Sequence, residues 1–126
     1  MENKDAFQAE LGSWLQEIVM SAKPSKEIAA FRFGLGEVER GYVLYLAGSI
    51  NYDELDDEWA SYPPEFLFEK ELIISNSEEQ EWYWILLQVI YSLGRVLRDS
   101  VVQESFLGGI KPVYTGFEDG DLYRIK

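Results

Sequence analysis

Asp53, Glu54, Asp56, Asp57 and Glu58 place five carboxylates in six consecutive residues, with Tyr52 before them and Trp59 behind. Three chemistries use acids gathered so closely. The first is docking. Like charges held together repel one another, and the lysines and arginines of a basic partner relieve that repulsion while the field draws the partner in. Tyr52 and Trp59 would then serve as aromatic anchors at the contact. The second is a calcium-binding module, with the carboxylates at 53, 56 and 57 as oxygen ligands. The EF-hand spacing is absent, because Glu58 stands where the loop's glycine belongs and Pro64 where its bidentate glutamate belongs. The third is a carboxylate-based enzyme, although spacing alone picks out no two acids that face each other. Against all three stands a plainer reading: a solvated acidic loop whose tryptophan pins it to the core.

The acidity is local. Residues Asn51 to Glu81 carry 11 acids and one base, Lys70, whereas the whole chain has 23 acids and 11 bases in 126 residues, for a net charge of −12. That stretch therefore holds −10 of the total, and the other 95 residues only −2. A chain with this balance repels phosphate backbones and anionic membranes, so neither nucleic acid nor a membrane is an expected partner. The chain has no cysteine and no histidine, which excludes disulfides, thiolate nucleophiles, Ser-His-Asp triads and zinc-protease helices. Gly34-Leu-Gly36 is too short for a dinucleotide fingerprint, and Gly108-Gly-Ile-Lys111 lacks phosphate-loop spacing; both read as turn glycines. No cofactor is expected. Met1-Glu-Asn-Lys-Asp5 does not open like a signal peptide, and the expected location is the cytoplasm.

Those acids need a scaffold, and the periodicities supply one. Phe7, Leu11, Trp14, Leu15 and Ile18 recur every three or four residues, predicting a helix from about Asp5 to Met20 that stops before Pro24. Strands are expected at Ile28 to Leu35, where Ala29, Phe31, Phe33 and Leu35 share one face, and at Tyr42 to Ala47, whose apolar run suits burial on both faces. Gly36 to Gly41 reads as their hairpin loop. Ser49 to Pro64 reads as loop with one helical turn near Asp56 to Ala60. A third strand is expected from Phe66 to Ile74, interrupted on its apolar side by Lys70. A long helix follows from Glu78 to about Ser100, opened by a Ser77-Glu-Glu-Gln80 capping box and carrying the stripe Trp82, Leu86, Val89, Leu93, Val96. It reads as central and covered on most sides, with Trp82 in the core beside Trp14 and Phe31. Val113 to Phe117 and Leu122 to Lys126 form a terminal hairpin about Asp119-Gly120.

The stretch Tyr45-Leu-Ala-Gly-Ser-Ile-Asn-Tyr-Asp-Glu-Leu-Asp-Asp-Glu-Trp-Ala60 resembles a family of small, acidic, mostly uncharacterised bacterial proteins. Their pattern is a strand ending in Gly-Ser, then Tyr-Asp, then Asp-Asp-x-Trp-Ala, with Glu58 here at x. The preceding Phe31-Arg-Phe-Gly-Leu35 strand and the helix after the acid run are similar in order. Some members look like immunity proteins encoded beside secreted toxins. The resemblance implies an inhibitor that covers a basic, nuclease-like toxin; it brings no catalytic residues with it.

The expectation is therefore a single α+β domain over residues 1–126, with a mainly antiparallel sheet of about five strands packed on two helices. Its expected role is non-enzymatic binding of a basic protein through Tyr52, Asp53, Glu54, Asp56, Asp57, Glu58 and Trp59. A homodimer through an apolar sheet face or through the Trp82/Trp84 end of the long helix is a further arrangement that the sequence allows.

Overall fold

A computed structural model describes residues 4–76 and 79–126. Helix α1 (Lys4–Ser21) is followed by strands β1 (Ala30–Val38) and β2 (Gly41–Ser49) and a 3-10 turn (Asp57–Ser61). Next come β3 (Phe66–Leu67), β4 (Leu72–Ser75), α2 (Trp82–Val96) and a short α3 (Ser100–Gln103). A second 3-10 turn (Phe106–Gly108), β5 (Val113–Phe117) and β6 (Tyr123–Arg124) complete the order. The result is an α+β fold with a six-stranded sheet in the order β3-β2-β1-β5-β6, β4 pairing β2 beyond β3. Among the described residues no helix is long and apolar enough to cross a membrane.

The amphipathic stripe of α1 lands where its spacing requires. Phe7, Leu11, Trp14, Leu15 and Ile18 are all buried against one face of the sheet and against α2. Trp14 also donates its indole N–H to the Lys70 carbonyl at 2.9 Å, tying the helix to the segment between β3 and β4. On the sheet, Phe31, Phe33 and Leu35 of β1 and Tyr42, Leu44 and Leu46 of β2 meet this core. Burial of these side chains removes them from water and drives the packing of helices on sheet.

Several elements depart from the sequence reading. The strand buried on both faces is β1, not β2: residues 30–36 are all buried, while β2 alternates between Tyr42 and Leu46. β1 lies between β2 and β5, with helices on one side and a loop on the other, so even Arg32 is enclosed. The hairpin loop is only Glu39-Arg40, since Val38 pairs with Gly41, and Arg40 adopts the left-handed conformation that a tight turn needs. The third strand is two short ones, both antiparallel to β2 and separated around Lys70. β5 runs parallel to β1 rather than extending an antiparallel meander.

The long helix is shorter at both ends. Glu79 has φ 52°, a backbone state no helix accommodates, so α2 begins at Trp82 after an Asn76 side chain that clamps the Gln80 backbone. The Ser77 and Glu78 part of the proposed capping box lies outside the described residues. Asp99, extended at ψ 139°, breaks the helix before α3, and the Gln103 amide donates to the freed Leu97 carbonyl at 2.7 Å. The helix is also less covered than expected. Leu86, Val89, Leu93 and Val96 are buried, but Trp82 is 55% exposed and meets Phe117 in a T-shaped ring contact at 5.8 Å. Ser92, a polar residue, is fully buried, while Trp84, Leu87 and Tyr91 face outward.

This division predicts contrasting substitutions on one helix. Leu93→Ala, at a site with no exposure, should lower unfolding stability by about 2–5 kcal/mol. Leu87→Ala, at a site 53% exposed, should change it by no more than about 0.5 kcal/mol. Urea denaturation of the two variants checks both values.

Candidate functional site

Helices cover one face of the sheet, and the chain from Ile50 to Glu65 crosses the other. Its two ends are fastened: the Glu65 amide donates to the Gly48 carbonyl at 3.0 Å, and the Glu65 carboxylate accepts from the Ile50 amide at 2.8 Å. Its middle is fastened by a small aromatic cluster. Trp59 is 3% exposed and packs edge-on against Tyr52 at 5.3 Å and Tyr114 at 5.5 Å, with Ala30 of β1 in the same cluster. The Tyr52 and Tyr114 hydroxyls share a hydrogen bond of 2.8 Å. Burial and that bond to a second phenol push the Tyr52 pKa up to about 12.

This arrangement separates the seven expected site residues into two groups. Trp59 is a buried pin and Tyr52 a half-buried one; neither is a free anchor. Asp53, Glu54, Asp56, Asp57 and Glu58 are all exposed. Asp53 and Asp56 each use one carboxylate oxygen locally, accepting from the Leu55 and Glu58 amides at 2.9 Å, and Asp56 thereby caps the 3-10 turn. Glu54 stands 3.9 Å from Arg124, a solvent-exposed pair of small energetic weight. The loop thus shapes itself with its own acids and leaves their charge outward. Among the described residues no group of three or more acids is placed to hold a metal ion.

A groove runs beneath the 57–64 segment. One compartment, about 450 Å³, is walled by Asp56, Asp57 and Glu58. The next, about 580 Å³, is walled by Tyr62, Pro63, Pro64 and Leu67. Arg32, Ser61 and Glu118 line both. Between them lies a relay that the sequence reading did not identify. Arg32 Nη1 donates to the Tyr45 hydroxyl at 3.0 Å, and that hydroxyl donates to Glu118 Oε2 at 3.1 Å. The guanidinium carbon sits 5.5 Å from the Tyr45 ring centroid, in cation–π range. Burial raises the Tyr45 pKa; the Arg32 charge and hydrogen bond oppose the rise, and Glu118 adds to it.

Two strand glycines make room for the relay. A Cβ on Gly34 would lie 2.3 Å from Tyr45 Cζ, and one on Gly36 would lie 3.1 Å from Glu118 Oε1. Gly34-Leu-Gly36 is therefore not a turn: both glycines lie within β1, where the absent side chains let a ring and a carboxylate lie on the sheet. Glycine inside a strand pattern is the sequence signal that marks such close approach. Residues 32, 45 and 118 are too far apart in sequence for any spacing rule to join them.

No family model matches the chain, and no curated protein or solved structure is significantly similar to it.

Two predictions follow from the geometry. Gly34→Ala should displace the Tyr45 ring and lower stability by roughly 1–3 kcal/mol, read from the urea midpoint. Tyr52 holds its proton more tightly folded than unfolded, so its contribution is intact below pH 10 and is lost as pH rises from 10 toward 12. Thermal melts across that range should show a steeper decline for the wild type than for Tyr52→Phe.

Proposed function

We propose that this protein acts by binding, docking a basic protein partner on the loop-covered face of its sheet. We extend the proposal to an immunity-type inhibitor that covers the basic cleft of a toxin. The observation that carries the reading is the outward set of carboxylates at 53, 54, 56, 57 and 58, fastened from below by Trp59. A loop held in one conformation pays little ordering entropy on binding, so its charges meet a partner already arranged. The same charges raise the rate of encounter with a cationic surface and disfavour anionic ones. A toxin that acts on nucleic acid carries positive charge where its substrate lies, and an acidic cover suits that cleft. The resemblance around Tyr45 to Ala60 points to the same class of partner. Binding rather than catalysis is also consistent with a face whose acids are exposed to solvent.

The test uses Asp57→Lys and Glu58→Lys together, which spares the cap that Asp56 provides. Association with the basic protein recovered from the native host at low salt should slow by roughly tenfold or more in this variant. The wild-type rate should fall steeply as ionic strength rises, because exposed charges are screened. Capture of no basic protein at low salt, or unchanged binding by the double variant, overturns the proposal.

A further inference from the structure

Arg32 is 8% exposed, yet among the described residues no carboxylate lies within 4.0 Å of its guanidinium. Its one hydrogen bond goes to Tyr45, and its Nε has no partner. A guanidinium presents five donors in a planar fork matched to a carboxylate. Glu118 is the nearest acid in the relay, but its Oε2 is engaged by the Tyr45 hydroxyl. Arg32 is thus an enclosed cation at the junction of the two groove compartments, poised for an acceptor.

The walls restrict what that acceptor belongs to. Asp56, Asp57 and Glu58, with Glu118, repel a simple anion from the first compartment. A purely cationic ligand satisfies these walls and leaves Arg32 unanswered. The second compartment adds an apolar lining of Pro63, Pro64 and Leu67, the last 59% exposed. We infer that the groove reads an ampholytic segment of the basic partner: a lysine or arginine among the rim acids, a neighbouring carboxylate on Arg32, and an apolar side chain against Leu67. The inference rests on the docking reading above and names the chemistry that reading would recognise. Charge draws the partner in, and the enclosed arginine selects the register.

The test titrates the intact protein at low ionic strength with two synthetic seven-residue peptides that share two lysines and a leucine. Their central residue is aspartate in one and asparagine in the other. The aspartate peptide, despite its smaller positive charge, should bind roughly fivefold tighter. That preference should vanish in Arg32→Gln. Should Arg32→Gln fail to fold, Arg32→Lys, which keeps the charge without the fork, should reduce it instead. Equal or tighter binding of the asparagine peptide, or a preference that is undiminished in a folded Arg32 variant, overturns the ampholyte inference and leaves the docking reading standing. Binding of neither peptide overturns both.

Discussion

A strand with no solvent-facing side needs two coverings. β1 imposes that constraint here, because residues 30–36 are buried throughout. Helices α1 and α2 supply one covering through a large apolar core. The other is a loop that leaves Ile50, Leu55 and Tyr62 exposed and buries Trp59 between two tyrosines. Once Trp59 is seated on Ala30, the flanking acids have nowhere to go but outward, since an unpaired carboxylate is not buried beneath a loop this thin. The acidic surface is in this sense a by-product of how the sheet closes, and it becomes a docking surface because the closure is firm.

That closure leaves some polar groups without partners. The Trp59 indole N–H and the Arg32 Nε are both enclosed and unpartnered. Groups of this kind each disfavour the folded state by roughly 1–3 kcal/mol relative to a bonded one. They lie on the loop side of the sheet, in or beside the acid-walled groove. On the helix side the polar Thr115 hydroxyl is satisfied by the Phe33 carbonyl at 2.7 Å, although Ser92 in α2 is not. The loop face is the less internally complete of the two, as a surface that engages a partner is expected to be.

Much of this was legible from residue patterns, and the reasons for the rest are specific. The α1 stripe, the β1–β2 pairing, the turn at Asp57–Ser61 and the terminal hairpin follow from local spacing and turn chemistry. In β1, Arg32 and Gly34 imitate the polar half of an alternating strand; only tertiary cover distinguishes an enclosed arginine from a solvated one. The periodicity points to a start of α2 earlier than Trp82 because Glu79 gives no compositional hint of its left-handed backbone. Trp82 fits the helical stripe but lies beyond the edge of the core, where its ring meets those of Phe117 and Tyr83. The acids of the candidate site were visible in the sequence as a charge run. The Arg32–Tyr45–Glu118 relay was not, since it is assembled by the parallel pairing of β5 on β1.

A small aromatic cluster, independent of the main core, holds the acid loop in place. Hydrogen exchange on Trp59→Ala tests it most directly. Faster exchange confined to residues 50–62 is expected, with β1 and β2 as protected as in the wild type. Unchanged loop exchange, or loosening spread through the whole sheet, contradicts it.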